Sequence, residues 1–230
     1  MTPLYLHGLP GSAAELALGG CDWSVLDRSA PSFAQMALGL PSGPLHLIGF
    51  SLGAACALRL AALSPDKVAK LTLISAAAPL ELGDFLPDMA GASVFRAARS
   101  HSQLSALTSV QSTLSRLSSG LMARMLARGC SPREAALITS APVYRAMHEG
   151  LTKHKGTYLR ELPAYVRPWA NHLPYVQCPV HLIHGQQDTW APLAMAHAFK
   201  SALPDAQLEV LDTAGHFGTL RHVLSAIQND

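Results

Sequence analysis

The sequence predicts an α/β fold with a mostly parallel sheet flanked by helices. Short runs rich in Val, Ile and Leu recur along the chain, turn residues bound each run, and helical stretches separate most of them. Such nearly continuous apolar runs are typical of strands that are buried on both faces of a parallel sheet. The 230 residues are 49% hydrophobic and 14% charged, which suits one domain or one domain with a sizeable insertion.

Six apolar runs are the predicted strands, and three other stretches are predicted helices. The strands cover residues 4–6, 23–26, 45–50, 68–74, 180–184 and 208–211. The helices cover residues 52–64, 193–203 and 220–228. Pro65 and Pro204 directly follow the first two helices, and proline does not continue a helix because it lacks the N–H donor. The alternation of strand and helix predicts helices on both faces of the sheet.

The strand signals stop between about residues 80 and 173. Five apolar residues in this stretch recur at spacings of three and four: Val110, Leu114, Leu117, Leu121 and Met125. This spacing predicts one face of a helix, and we favour ordinary packing of that face over a cofactor site. We therefore predict that residues 80–173 form a helical cap inserted into an α/β core of residues 1–79 and 174–230.

Charge is divided unevenly between the predicted cap and the rest of the chain. Residues 90–172 carry 11 Lys or Arg and 3 Glu, a balance of +8, whereas the remaining residues have a balance of −6. One hypothesis is that five arginines of the cap form a docking surface for an acidic carrier protein: Arg96, Arg99, Arg116, Arg124 and Arg128. The alternative, which the sequence alone favours, is a solvated basic face or one that pairs with the acidic core.

Several classes of protein lack support in the sequence. The first residues show no basic start before a long apolar stretch, so no signal peptide is predicted, and no apolar window is long enough to predict a membrane span. Four scattered cysteines without a Cys-x-x-Cys pair favour reduced thiols and a cytoplasmic location. Neither zinc-ligand spacing nor a cofactor motif is present, and the basic residues lack the interleaved aromatics of nucleic-acid modules. We expect no metal, cofactor, membrane or nucleic acid.

The segment GFSLG (residues 49–53) fits the pattern G-x-S-x-G between a predicted strand and a predicted helix. A nucleophilic serine at position 51 must project from a sharp turn, and small residues two positions to either side prevent clashes. The N-terminus of the following helix favours negative charge, so the Leu52 amide is a candidate oxyanion donor. The alternative interpretation is a tight turn in which Ser51 is incidental.

Two further residues follow predicted strands and complete a possible Ser-His-Asp triad. Asp188 follows the strand at residues 180–184, and His216 follows the strand at residues 208–211. The carboxyl ends of parallel strands meet at the edge where α/β sheets bind their ligands. A serine nucleophile needs a base, and the base needs an orienting acid. Glu81 and Asp84 are alternative candidates for the acid.

Four segments in this order resemble the α/β-hydrolase superfamily: LHGLPGS, GFSLG, GQQD and AGHF. The resemblance covers roughly residues 3–79 and 174–230, and the order Ser51, Asp188, His216 is that of the superfamily's triad. It implies an α/β-hydrolase fold with a sheet of about six strands, from which the first two strands of the usual fold are missing. It also implies a backbone oxyanion hole formed by the amides of Leu9 and Leu52. Candidates for the substrate pocket are His7, Gly8, Trp190 and Phe217.

A serine at the nucleophile position implies a hydrolase that acts on a small-molecule acyl substrate through an acyl-enzyme, most simply a carboxylic ester. Thioester hydrolysis, C–C bond hydrolysis and lyase reactions use the same triad and stay open at this point, as does a receptor that binds a ligand without turnover. The basic cap would suit an anionic or carrier-linked substrate. The superfamily's pimeloyl-carrier-protein methyl ester carboxylesterases are a precedent for such a substrate.

Overall fold

A parallel sheet of five strands lies at the centre of this computed structural model, which describes residues 1–227. The strands are β1 (Thr2–Leu6), β2 (Leu45–Phe50), β3 (Val68–Ile74), β4 (Val180–Gly185) and β5 (Ala206–Leu211). They are adjacent in the order in which they occur along the chain, and each neighbouring pair is parallel. Their carboxyl ends therefore share one edge, and the segments that follow β1, β2, β4 and β5 all begin there.

Helices cover the sheet and fill the long connection between β3 and β4. The α-helices are α1 (Phe33–Leu38), α2 (Leu52–Leu63), α3 (Ala92–Ala97), α4 (His101–Leu126), α5 (Pro132–Ile138), α6 (Ala141–Thr152), α7 (Lys155–Tyr165), α8 (Leu193–Ala202) and α9 (His216–Ile227). Short 3₁₀ helices cover Ala13–Leu18, Leu80–Leu82, Leu86–Asp88 and Ala170–Tyr175. Helices α2, α8 and α9 pack against the sheet. Within residues 1–227, no helix combines the length and the apolarity that a membrane crossing needs.

The central strands are buried on both faces, as their continuous apolar runs predict. Leu47 and Ile48 of β2 point to opposite faces of the sheet, and both are fully buried. Leu71 and Leu73 of β3 are also fully buried. The α/β fold class and the parallel sheet of the sequence prediction are confirmed.

The sheet has five strands where six were expected. The predicted strand at residues 23–26 makes only an isolated parallel bridge, between Val25 and Tyr5 at the free edge of β1. The chain turns away directly afterwards, because the Asp27 carboxylate accepts hydrogen bonds from the backbone N–H and the hydroxyl of Ser29 at 2.9 Å each. Such a turn competes with continued strand pairing. The next residue after Asp27, Arg28, then buries its side chain against α7.

The helix predicted at residues 220–228 begins four residues earlier, at His216. Its predicted end at Gln228 lies outside the described residues. The early start reflects N–H groups of Phe217 and Gly218 that donate to a carboxylate from a distant helix, a contact that local spacing does not reveal. The other two predicted helices end at Leu63 and Ala202, within one residue of expectation.

Residues 80–173, called the helical segment below, contain α3 to α7 and none of the five strands. Helix α6 packs on the 3₁₀ helix Ala13–Leu18, which follows β1, and α5 packs on α9, which follows β5. The helical segment therefore lies over the carboxyl edge of the sheet, because both of these neighbours begin at that edge.

The face of α4 that we expected to pack is mostly exposed, so that prediction was wrong. Val110 is 66% exposed and Leu117 is 80% exposed, and two further members of the stripe, Leu121 and Met125, are also exposed. Helix α4 instead buries a face of small polar residues, Thr108, Ser112 and Ser115, towards α6 and α7. Their hydroxyls are accommodated locally: Thr108 donates to the Leu104 carbonyl at 2.7 Å, and Ser115 lies 2.8 Å from His148 Nδ1. Small side chains allow close helix contact, so apolar spacing alone misidentified the packed face.

Candidate active site

Ser51 stands at the sharp turn between β2 and α2. Its backbone has φ 55° and ψ −123°, a left-handed conformation that non-glycine residues rarely adopt. The two flanking glycines permit this turn. A Cβ on Gly49 would lie 2.6 Å from Ala54 Cα, and a Cβ on Gly53 would lie 2.1 Å from the Leu6 carbonyl oxygen. The backbone segments around Ser51 therefore approach so closely that only glycine fits at positions 49 and 53.

His216 and Asp188 form a buried hydrogen-bonded pair. His216 Nδ1 lies 2.7 Å from Asp188 Oδ2, and both side chains are at least 97% buried. The second oxygen, Oδ1, accepts hydrogen bonds from the backbone N–H groups of Trp190 and Ala191 at 2.9 Å each. Burial alone would raise the pKa of Asp188, but the neighbouring His216 and these hydrogen bonds hold it below its ordinary value. Asp188 is therefore ionised at neutral pH and orients the imidazole.

Ser51 and His216 line the same small cavity, and aromatic rings surround the imidazole. Its free volume is about 10 Å³, which is room for about one water molecule. The His216 ring stacks on Trp190 at 5.8 Å between centroids and lies 4.7 Å from the Phe50 ring. Among the described residues, the hydrogen bonds include none between Ser51 Oγ and His216, as is common before a substrate draws the two groups together.

Two backbone segments meet beside Ser51. Gly8 and Leu9, which follow β1, line the cavity, and a Cβ on Gly8 would lie 3.4 Å from Ser51 Cβ. Leu52 is the first residue of α2, where backbone N–H groups have no acceptor within the helix. The amides of Leu9 and Leu52 are thus on two segments that converge on Ser51. Such fixed donors suit an oxyanion that forms beside the serine.

A family model for the alpha/beta hydrolase fold matches residues 21–223. This match spans most of the chain and includes the turn at Ser51, Asp188 and His216. The chain belongs to the α/β-hydrolase family. The family model and the five-stranded parallel sheet agree in assigning the α/β-hydrolase fold to this chain.

Solved structures with the same fold include several esterases. A thermophilic esterase from Thermogutta terrifontis is 21% identical, with a TM-score of 0.62, and the alignment covers 100% of this chain and 89% of that chain. A hydrolase from Oleispira antarctica is 15% identical, with a TM-score of 0.62, and the alignment covers 100% of this chain and 91% of that chain. At these identities the likeness concerns the fold.

Two curated relatives match short stretches of this α/β hydrolase. Pimeloyl-[acyl-carrier protein] methyl ester esterase of Aromatoleum aromaticum is 44% identical over 54 residues, which are 24% of this chain and 22% of that protein. A Mycoplasma pneumoniae protein named for proline iminopeptidase activity is 45% identical over 51 residues, or 22% of this chain and 16% of that protein. The chain therefore matches about a fifth of the length of each relative.

The pocket candidates of this α/β hydrolase separate into two places. Gly8, Trp190 and Phe217 line the cavity at Ser51. His7 lies in a different cavity, where its ring is 5.8 Å from the His154 ring and its Nδ1 is 2.7 Å from the Gly8 carbonyl. Burial and the nearby Arg28 lower the pKa of His7 to about 3, so the ring is neutral. Gly8, the next residue, lines the Ser51 cavity instead.

Glu15 is a buried acid in the Ser51 cavity that the sequence patterns did not single out. Its Oε1 accepts hydrogen bonds from Tyr5 Oη at 2.7 Å and from the Gly8 N–H at 3.0 Å. Burial raises the pKa of Glu15 to about 7, although these two hydrogen bonds oppose the rise. The carboxyl group therefore fixes the loop that carries Leu9. The only sequence signal was an isolated acid in the apolar stretch of residues 13–18.

Two more groups that the sequence patterns did not single out hold the backbone around His216. Ser75, at the end of β3, donates from its hydroxyl to the His216 carbonyl at 3.3 Å. Glu134, on α5, accepts hydrogen bonds from the N–H groups of Phe217 and Gly218. Burial raises the pKa of Glu134 above its ordinary value, against the effect of these N–H donors. The pattern S-x-x-E at residues 131–134 predicts the start of a helix. It does not predict that Glu134 also contacts the N–H groups of a distant helix.

The alternative candidates for the acid lie elsewhere in the structure. Glu81 accepts hydrogen bonds from the N–H groups of Trp169 and Ala170, at the end of the helical segment. Asp84 is exposed. His184 is buried and lies 2.7 Å from the Ala191 carbonyl, which makes it part of the support for the Asp188 loop. Within the described part of the chain, no cluster of three His, Cys, Asp or Glu residues is placed to hold a metal ion.

Proposed function

We propose that this α/β hydrolase cleaves a carboxylic ester, with Ser51 as nucleophile, His216 as general base and acid, and Asp188 as the residue that orients His216. One observation carries the proposal: His216, which is paired with the buried Asp188, lines the same small cavity as a serine in a strained turn. A functional constellation of this kind explains why a conformation that costs about 1–3 kcal/mol is kept.

The proposed reaction proceeds in two halves. His216 takes the proton from Ser51 Oγ, which attacks the ester carbonyl carbon, and the amides of Leu9 and Leu52 hold the oxyanion. The tetrahedral intermediate collapses, the C–O bond to the alcohol breaks, and His216 returns its proton to the departing oxygen. Water then attacks the acyl-Ser51 by the same sequence and releases the acid. Asp188 stays ionised throughout and stabilises the imidazolium.

Hydrolysis of small activated esters tests the catalytic assignment. We expect Ser51→Ala and Asp188→Asn to lower kcat by about 10⁴-fold, because each variant removes the nucleophile or the group that fixes the imidazole tautomer. The matched control is Asp84→Asn, which changes an exposed acid that follows β3 and should leave kcat unchanged. A parallel series of thioesters and vinylogous diketones separates ester hydrolysis from other reactions of the same triad. Saturable binding without turnover would instead favour a receptor.

We further propose that the helical segment is a cap and that the natural substrate is anionic or linked to an acidic carrier protein. The five arginines of the docking hypothesis are all exposed: Arg96, Arg99, Arg116, Arg124 and Arg128. The three glutamates of residues 90–172 contact core residues, and within the described part of the chain none of them forms an ion pair with these five arginines. The relative from Aromatoleum aromaticum, named for a carrier-protein methyl ester, supports this substrate class. A cytoplasmic location is proposed with it, since all four cysteines are free thiols.

Salt dependence tests the carrier hypothesis. Raising the salt concentration from about 50 to 300 mM should lower kcat/KM several-fold for an acyl-carrier-protein methyl ester, because added salt screens long-range attraction. Replacing Arg124 and Arg128 together by Gln should weaken that dependence. An uncharged short-chain ester is the control, since its kcat/KM should be unaffected by salt or by the arginines. Equal salt dependence for both substrates would contradict docking.

A further inference from the structure

The first turn of α9, which begins at the candidate base His216, has no capping side chain of its own. The first backbone N–H groups of any α-helix need acceptors outside the helix, and the side chain at the N-cap position normally supplies one. The residue at that position here is Gly215, which has no side chain. The helix that carries the base must therefore be capped from elsewhere.

Glu134 of α5 supplies both acceptors. Its Oε1 accepts from the Phe217 N–H at 2.6 Å, and its Oε2 accepts from the Gly218 N–H at 3.0 Å. The residue is 95% buried, and its own N–H donates to Ser131 Oγ at 3.3 Å, which fixes the start of α5. A carboxylate at a helix N-terminus is favoured both by the charge-assisted hydrogen bonds and by the helix dipole.

Two glycines make room for this carboxylate. A Cβ on Gly215 would lie 2.6 Å from Glu134 Oε2, a distance that real contacts do not show, and a Cβ on Gly218 would lie 3.2 Å from the same atom. A capping Ser or Asp at position 215 and the Glu134 carboxylate therefore exclude each other. The start of α9 is shaped to receive an acid from the helical segment.

We propose that Glu134 is a positioning residue for His216, acting through the backbone of Phe217 and Gly218. This role rests on the proposed function of His216 as the base. Three contacts then fix His216: Asp188 holds its ring, Ser75 holds its carbonyl oxygen, and Glu134 holds the two N–H groups that follow it. The helical segment thereby completes the base helix and contributes to catalysis as well as to substrate selection.

The test measures how fast a small fluorophosphonate modifies Ser51, since this reaction needs the base but little substrate recognition. Glu134→Ala should slow modification by about tenfold or more, because small misplacements of catalytic groups are costly. The matched control is Arg133→Ala, the exposed neighbour on α5, which should react at the wild-type rate. Adding Gly215→Asp to Glu134→Ala places an acceptor at the ordinary N-cap position and should restore most of the rate. Melting temperatures of all variants identify any that do not fold.

Hydrogen exchange provides a readout that is independent of catalysis. The amides of Phe217 and Gly218 should exchange faster in Glu134→Ala and recover in the double variant. A folded Glu134→Ala protein that reacts at the wild-type rate would overturn the proposal, and so would a slow rate that Gly215→Asp does not restore. If wild-type Ser51 does not react at all, the proposed function fails, and faster exchange in Glu134→Ala would then support the capping contact alone.

Discussion

Ser51 occupies a backbone conformation that the surrounding packing enforces. Its left-handed φ costs about 1–3 kcal/mol, and the backbone packs so closely around it that a Cβ on Gly49 would clash with Ala54 and a Cβ on Gly53 would clash with Leu6. In this strained conformation Ser51 lines the cavity, and its hydroxyl does not cap the start of α2. His216 and Asp188 lie at the same edge of the sheet and are hydrogen-bonded to each other.

Glu15 gives this site a pH-dependent effect on stability. The pKa of Glu15 is about 7 in the folded protein and about 4.5 for an ordinary glutamate, so the folded state binds more protons between these values. Stability therefore falls as pH rises from about 4.5 through 7, by about 3 kcal/mol in the limit. Glu15→Gln keeps an acceptor for Gly8 but loses the titration. As the pH rises over this range, the unfolding free energy of the variant should therefore increase relative to that of the wild type. Urea denaturation at several pH values measures both, and parallel pH curves would contradict the assignment.

Sequence patterns single out a site residue only where its role is tied to a local motif or to a position directly after a strand. Ser51 lies in a five-residue motif, and Asp188 and His216 follow strands, so position alone singles them out. Glu15 and Glu134 bind backbone N–H groups that packing brings to them, and backbone groups carry no sequence signature. His7 is the opposite case. It belongs to the segment LHGLPGS beside the site, yet it lines a different cavity.

Helix α4 shows how packing can reverse an apolar pattern. Its buried face contains Thr108, Ser112 and Ser115, whose small size allows α4 to approach its neighbours, whereas Leu117 and Val110 point to solvent. The spacing of the apolar residues correctly predicted a helix. It could not predict which face is covered, because that depends on the shapes of α6 and α7.

Two leucines of α4 provide a direct comparison of its faces. Leu117→Ala should change the free energy of unfolding by no more than about 0.5 kcal/mol, because the side chain is 80% exposed. Leu104→Ala, which removes a side chain that is 1% exposed, should cost about 2–5 kcal/mol. Urea denaturation measures both values. Equal losses would mean that the apolar face is covered after all.

Across the whole molecule, three glutamates of the helical segment hold it against the core. Glu134 binds the start of α9, Glu149 accepts a hydrogen bond from Ser12 at 2.7 Å, and Glu161 pairs with Arg28. Helix α6, which carries Glu149, also lines the cavity at Ser51 through Val143, Ala146 and Met147. The helical segment that these acids hold therefore forms part of the wall of the candidate active site.

The Arg28–Glu161 pair should be the strongest of these three contacts. Both side chains are at least 95% buried, and Arg28 also donates to the His7 carbonyl at 2.6 Å. Glu161→Gln leaves a buried guanidinium without its counter-charge and should cost about 3–5 kcal/mol. Arg145→Gln is the control, since it removes a 70% exposed partner of Glu149 and should cost no more than about 1 kcal/mol. A Glu161 variant as stable as the control would contradict this account.

The overall architecture follows from the alternation of apolar runs and helices, which predicts the parallel sheet and its helical insertion. The number of strands does not follow, because an apolar run such as residues 23–26 pairs only as far as its turn at Asp27 permits. The excess positive charge of residues 90–172 was also visible in the sequence. Its meaning needed the structure, in which the three acids contact the core while the arginines stay exposed.

Intact mass after treatment with a fluorophosphonate probe, on wild type and on Ser51→Ala, tests the central assignment most directly. We predict a single adduct on the wild type that maps to Ser51 and is absent from the variant, because only an activated serine reacts at neutral pH. A folded wild-type protein that acquires no adduct, or one whose adduct persists in Ser51→Ala, would contradict the assignment of Ser51 as the nucleophile.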